Sequence, residues 1–157
     1  MDILYTATAT AHGGRDGSVK SSDGKVEHDL ATPEGMGGPG GSGTNPEQLF
    51  AAGYAACFEG ALRLVASKQN KDIGDASVTA NVGIGPEGKS FGLEVEMVAS
   101  VPGVSRGEAE ELVAQAHEVP VFQSDPREHR SLTRGRGLKA SRVRADPHAT
   151  RSAFCPC

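Results

Sequence analysis

The chain of 157 residues contains no tryptophan, and aromatic residues make up only 4% of it. Hydrophobic residues make up 37%, which is low for a compact domain and indicates that some segment contributes little to a core. We find no apolar run approaching the ~20 residues that a membrane helix requires. The first ten residues, MDILYTATAT, lack the charged and apolar regions of a signal peptide, so we expect a cytoplasmic protein without membrane contact.

Cysteine is also scarce, with Cys57 in the body of the chain and Cys155 and Cys157 at its end. Three cysteines in a cytosolic chain argue against a disulfide scaffold and favour a reactive or merely buried thiol. No cysteine and histidine residues have the spacing of a zinc site, so we expect no metal. The glycine-rich loop at 32–43 ends without the Gly-Lys-Ser/Thr of a phosphate-binding loop.

Charge divides the chain at residue 119. Residues 1–119 carry 8 basic and 17 acidic side chains, a net of −9, whereas residues 120–157 carry 8 and 3, a net of +5. The tail lacks a nucleic-acid-binding signature, so we expect no nucleic-acid partner. It also lacks a sustained period of 2 or 3.6, and we expect it to be disordered. The predicted organisation is one domain at 1–119 and a basic tail at 120–157.

The body alternates between strand and helix signals and predicts an α+β domain. A strand is expected at 3–11 and a hairpin at 20–30 with its turn at Asp23-Gly24. Further strands are expected at 77–85 and 91–101. A helix is expected at 105–118, where Ser105 and Glu108 have the spacing of a capping box.

The strongest helix signal lies at 44–68. Thr44 and Glu47 have capping-box spacing, and Pro46 suits a first turn. Apolar residues recur at spacings of three and four, at Phe50, Tyr54, Cys57, Ala61 and Leu64. Many alanines flank this stripe, which predicts a central helix packed on most sides.

Cys57 within this helix has two interpretations. The first is a small apolar residue in a core, since free cysteine is among the most buried residue types. The second is a nucleophile, which requires a nearby cation or donor to become a thiolate. Arg15, at the tip of the GGRDG turn, is a candidate cation, but spacing alone does not bring it to Cys57. From the residues alone, Arg15 is equally a solvated turn residue, and Glu47 a capping residue.

Three stretches carry a family resemblance: GGRDGSVKSSDG, GGPGGSGTNPEQLFAAGYAACFEGAL and VGIGPEGKSFGLEVEM. They closely resemble the organic hydroperoxide resistance proteins of the OsmC/Ohr family, over residues from about 4 to 119. The resemblance implies an antiparallel sheet packed around a long cysteine-bearing helix and a second helix. It also implies an intertwined homodimer with its sites at the subunit interface.

The resemblance further implies a thiol peroxidase that reduces organic and lipid hydroperoxides to alcohols in response to oxidative stress. Cys57 would be the peroxidatic cysteine, Arg15 would stabilise its thiolate and orient the peroxide, and Glu47 would hold Arg15 in place. No bound cofactor is implied. The reductant would be an external dithiol, either a lipoylated protein or dihydrolipoamide.

The sequence departs from the family after Val119. Members carry a resolving cysteine in a Cys-Pro-Phe-Ser segment, followed by a Thr-Arg-Gly-Asn turn and a last strand, whereas this chain has Pro120. Suitable synonymous codons for residues 119–130, read one base later, spell C-P-F-S-K-A-T-R-G-N-I. The hypothesis is therefore that residues 120–157 are frameshifted, that the final strand is missing, and that turnover is impaired. Cys155 or Cys157 would lack a preset geometry for resolving Cys57.

Two alternatives remain open beside an impaired peroxidase. One is a folded but catalytically inactive relative that binds hydrophobic ligands beside Cys57. The other is an unstable product of the frameshift. A genuine divergent tail with a basic binding role competes with the frameshift itself, and the nucleotide sequence of the gene decides between these two.

Overall fold

The computed structural model describes residues 2–119 and, for the backbone, 139–145. The resolving position at Pro120 and the terminal Cys155 and Cys157 lie outside the described residues. The chain separates into two compact units, residues 1–50 and 51–157, and one helix passes from the first into the second.

The first unit contains a three-stranded antiparallel sheet in the order β1-β2-β3. The strands are β1 (Ala9–His12), β2 (Ser18–Ser21) and β3 (Glu27–Asp29). The hairpin between β2 and β3 turns where Asp23-Gly24 predicted it, and Ser21 and Val26 are hydrogen-bonded across it. The first strand is shorter than the 3–11 expected from its alternation. Ile3, Leu4 and Tyr5 precede it and are exposed.

Helix α1 (Pro46–Lys68) begins close to its predicted start. The Asn45 carboxamide oxygen accepts from the Gln48 backbone N–H at 2.9 Å, so Asn45 caps the helix and Pro46 takes the first helical position. The predicted Thr44–Glu47 capping box is wrong. The Thr44 hydroxyl instead donates to the Gln48 side chain.

The predicted apolar stripe on α1 is also wrong. The buried residues of the helix all lie in its second half, namely Phe58, Ala61, Leu62, Val65 and Ala66. Only Ala61 belongs to the predicted stripe, and Leu64 is 48% exposed. The first half has no fully buried residue in this single chain, so α1 is not packed on most sides along its whole length.

By length and composition α1 could cross a membrane, because one 18-residue window has a mean hydropathy of 1.4. The sequence had been expected to contain no apolar segment long enough for a membrane helix, so this finding differs from that expectation. A core helix of a soluble protein passes the same test. In this chain 28% of the window is buried, and the buried residues lie in the second half of α1.

The second unit contains a three-stranded sheet and a second helix. Strands β4 (Ser77–Glu87) and β5 (Ser90–Ser100) form an antiparallel hairpin. Helix α2 (Arg106–His117) starts at the predicted capping box, in which the Ser105 hydroxyl accepts from the Glu108 backbone N–H. The core combines the second half of α1 with one face of β5 and one face of α2. It includes Val95, Met97, Ala99, Leu112 and Val113.

Strand β6 (Lys139–Ala145) pairs in parallel with β5, with one register irregularity between Val95 and Met97. The final strand was predicted to be missing, but Lys139–Ala145 forms a strand at this edge of the sheet. An open edge of β5 offers unpaired backbone N–H and C=O groups to any extended chain. The register places Ala140, Val143 and Ala145 opposite Val95, Met97 and Ala99, so the irregularity interrupts an otherwise alternating apolar pattern.

Candidate functional site

Arg15 is presented by a tight turn between β1 and β2. Residues Gly14–Asp16 form a single 3₁₀ turn, and Gly14 has a φ of +63°, a conformation that favours glycine. Gly17 follows at a close approach, because a Cβ there would lie 1.8 Å from the carbonyl oxygen of His12. The glycines of GGRDG thus allow the chain to reverse sharply and leave Arg15 at the bend.

Asp16 ties this turn to the glycine-rich loop. Its carboxylate accepts from the Thr32 backbone N–H at 2.9 Å. Hydrogen bonding from Thr32 lowers the pKa of Asp16 below its ordinary value, so the carboxylate stays ionised near neutral pH. The turn that carries Arg15 is therefore held to the segment that leads towards α1.

Glu47 lies in the first turn of α1, directly after Pro46. A carboxylate at this position interacts favourably with the helix dipole and with the free N–H groups of the first turn. Its side chain is 12% exposed and points to Arg15 instead of closing a capping box.

The Arg15 guanidinium and the Glu47 carboxylate form a bidentate ion pair. Nη1 of Arg15 donates to Oε2 of Glu47 at 2.8 Å, and Nη2 donates to Oε1 at 2.7 Å. This two-point contact fixes the guanidinium plane as well as its position. The side-chain hydrogen bonds raise the pKa of Arg15 and lower the pKa of Glu47, so both groups are charged at neutral pH.

Met36 is a third member of this cluster and was not among the predicted site residues. Its sulfur accepts a long contact of 3.8 Å from Nη1 of Arg15. Met36 ends a short 3₁₀ turn, Glu34–Met36, within the glycine-rich loop. No local pattern in the sequence marks a lone methionine as a neighbour of an arginine 21 positions earlier.

Cys57 is a free, partly exposed thiol on α1. It belongs to the second unit, whereas Arg15, Met36 and Glu47 belong to the first. Ten residues of continuous helix separate Glu47 from Cys57, about 15 Å of rise. Within the first unit, Arg15 and Glu47 are in contact, as the resemblance implies. The catalytic roles of all three residues stay predictions.

Metal chemistry has no support in the part of the chain that the structure describes. Across residues 2–119, histidine, cysteine, aspartate and glutamate side chains do not gather in groups of three that could hold an ion.

Comparison with known proteins identifies the family. The family model for OsmC-like protein matches residues 38–123, which is more than half of the chain. This chain belongs to the OsmC-like family. Its relatives include the organic hydroperoxide resistance protein of Xanthomonas axonopodis pv. citri. The two are 47% identical over 132 residues, covering 83% of this chain and 93% of the relative. OhrB of Bacillus subtilis is 44% identical over 117 residues, covering 73% and 85%.

Solved structures place this OsmC-like protein among the same relatives. An organic hydroperoxide resistance protein from Legionella pneumophila superimposes with a TM-score of 0.72 at 50% identity, covering 75% of this chain and 86% of that one. OhrB of Bacillus subtilis gives a TM-score of 0.73 at 36% identity, covering 92% and 100%. The expected α+β fold of the OsmC/Ohr type is confirmed.

Proposed function

We propose that this OsmC-like protein is a cysteine-based peroxidase that reduces organic hydroperoxides. Its relatives named organic hydroperoxide resistance proteins support the general role. The observation that carries the proposal is the bidentate Arg15–Glu47 pair, because it provides a rigidly held cation of the kind that a thiol peroxidase needs.

In the proposed reaction, the Cys57 thiolate attacks the distal oxygen of the hydroperoxide. The O–O bond breaks, the sulfur becomes a sulfenic acid, and the alkoxide leaves and is protonated to an alcohol. Arg15 would donate hydrogen bonds to the thiolate and to the peroxide oxygens, where negative charge moves during the attack. Glu47 would not touch the substrate. It would hold the guanidinium in one orientation.

The distance along α1 bears on how such a site could be completed. Glu47 and Cys57 are separated by about 15 Å of helical rise. This distance is too long for the side chain of Arg15 to contact Glu47 and Cys57 of the same helix at once. We therefore propose a homodimer in which a second copy completes the site. We further propose a cytoplasmic location, with no nucleic acid or membrane as partner.

The second half of the reaction is proposed to be impaired. A resolving thiol would condense with the sulfenic acid to a disulfide, which a lipoylated protein or dihydrolipoamide would reduce. Pro120 occupies the position of that thiol, so the Cys57 sulfenic acid would wait for an external thiol and risk over-oxidation to sulfinic acid.

The test is to treat purified protein first with one equivalent and then with several equivalents of cumene hydroperoxide, with and without dihydrolipoamide, and to determine the oxidation state of Cys57 by mass spectrometry. We expect rapid sulfenic acid, then sulfinic acid, with little recycling. The Cys57→Ser variant provides the background. An inert Cys57 in folded protein would refute the peroxidase, and repeated turnover would refute the impairment.

A further inference from the structure

The guanidinium of Arg15 has more hydrogen-bond donors than Glu47 uses. An arginine carries five N–H donors, and Glu47 takes one from each of the two terminal nitrogens. The sulfur of Met36 lies 3.8 Å from Nη1, the nitrogen that also binds Oε2 of Glu47. Met36 therefore lies against the part of the guanidinium that remains available to a ligand.

A thioether is a weak hydrogen-bond acceptor. At 3.8 Å its contact with Nη1 leaves that N–H group nearly as available as it would be in the absence of Met36. A sulfoxide differs, since its oxygen is a strong acceptor and extends from the sulfur towards the same donor. The chemical state of Met36 thus decides how many Arg15 donors are free.

We propose that Met36 is an oxidation site, and that its conversion to methionine sulfoxide by organic hydroperoxides withdraws an Arg15 donor. Only the consequence for Cys57 rests on the peroxidase proposed above. The oxidation itself and the new Arg15 contact depend on residues of the first unit alone.

The reaction is a two-electron oxygen transfer. The Met36 sulfur attacks the distal oxygen of the hydroperoxide, an S–O bond forms and the O–O bond breaks. The proton of the hydroperoxide passes to the departing alkoxide, which leaves as an alcohol. Sulfur is oxidised and the peroxide is reduced, so the step needs no further reactant.

Exposure favours Met36 over a second methionine of the chain. Met36 is partly exposed on a glycine-rich loop, whereas Met97 on β5 is 2% exposed and packed in the core. A hydroperoxide approaching Arg15 would meet the Met36 sulfur directly. Met97 therefore serves as an internal control for non-selective oxidation.

The first experiment uses Cys57→Ser protein, in which the thiol cannot react. After exposure to tert-butyl hydroperoxide, peptide mass spectrometry should find the sulfoxide at Met36 well before Met97. The ¹⁵N signals of the Arg15 side chain should then shift, and its N–H exchange should slow. Equal oxidation of the two methionines, or unchanged Arg15 signals after Met36 oxidation, would overturn the proposal.

The second experiment measures the consequence on protein that retains Cys57. Met36→Gln places a carboxamide oxygen where the sulfoxide oxygen would lie, and Met36→Leu keeps the size without an acceptor. Cys57 oxidation should be roughly tenfold slower in Met36→Gln than in Met36→Leu, the effect of one hydrogen bond to a charged group. Equal rates would overturn this consequence. A Cys57 that fails to react in wild-type and both variants would refute the peroxidase while leaving the first experiment's result intact.

Discussion

Each of the two units of the chain is stabilised internally by a different kind of contact. Among the described residues, the first unit buries one large apolar side chain, Leu30, whereas the buried apolar residues of the second span α1, β5 and α2. The first unit instead relies on polar contacts such as Arg15–Glu47 and Asp16–Thr32. The difference indicates that substitutions in the second unit should change stability, whereas substitutions at the polar cluster should change chemistry.

The largest expected effect is in the apolar core. Leu62→Ala should lower the free energy of unfolding by about 2–5 kcal/mol, because Leu62 is fully buried and the substitution leaves a cavity. Leu64→Ala, two positions along the same helix, is the matched control. Leu64 is 48% exposed, so its loss should cost much less. Urea unfolding of both variants checks this, and equal losses would contradict the assignment of the core to one face of α1.

Glu47→Gln should have a smaller effect on stability and a larger effect on reactivity. We expect a loss of about 1 kcal/mol in unfolding free energy, since Arg15 is 34% exposed and solvent screens the charge. The rate of Cys57 oxidation should fall by more than the small loss of stability would explain, because the guanidinium loses its fixed orientation. Stopped-flow kinetics and thermal melts measure the two effects.

Glu59→Gln is the control for that substitution. Glu59 forms an ion pair with Arg63 further along α1, so the variant also removes one carboxylate charge from this helix. It should leave the rate of Cys57 oxidation nearly unchanged. If Glu59→Gln slows the reaction as much as Glu47→Gln, the effect is one of net charge and not of Arg15 orientation.

The acid side of the stability profile should show a contribution from Glu108. Hydrogen bonds from Lys71 and Ser105 lower its pKa to about 2 in the folded chain, from an ordinary 4.5. A carboxylate with a lowered folded pKa stabilises the protein above about pH 4.5, and this stabilisation is lost as the pH falls towards 2. Glu108→Gln should therefore narrow the Tm difference between pH 6 and pH 2. An unchanged difference would show that solvent screens these contacts fully.

The smallest effect is expected at an exposed ion pair of the first unit. Lys20 and Glu27 pair across β2 and β3 with side chains 60% and 62% exposed. Lys20→Gln should change stability by no more than about 0.5 kcal/mol, because exposed pairs contribute little. A larger loss in thermal melts would show that the first unit depends on its surface charges more than on Arg15–Glu47.

Local signals in the sequence predicted much of the fold. The capping box at Ser105 and Glu108 predicted the start of α2, and the strands expected at 77–85 and 91–101 correspond to β4 and β5. The buried face of α1 was predicted wrongly. Alanines surround its larger apolar residues, so the sequence offers little contrast between faces, and packing within the second unit decides which one is buried.

Long-range contacts had no local signal. Residues 32 positions apart form the Arg15–Glu47 pair, and only the family resemblance pointed to it. Met36 had neither a pattern nor a resemblance to mark it. Strand β6 was missed because its apolar positions, Ala140, Val143 and Ala145, are spaced three and then two apart, and the register irregularity hides the alternation by which strands are recognised in a sequence.

The Arg15–Glu47 pair also has a consequence for chain entropy. Closing a flexible loop of 32 residues has a length-dependent entropic cost of about 3 kcal/mol. A single, partly exposed ion pair contributes less stabilisation than this cost. Backbone hydrogen bonds from Leu30 to Gly17 and from Ala31 to Thr44 hold the two ends of this loop close together. The ion pair then closes only the short remaining path. Its opening would therefore release the guanidinium while the strands around it remain folded.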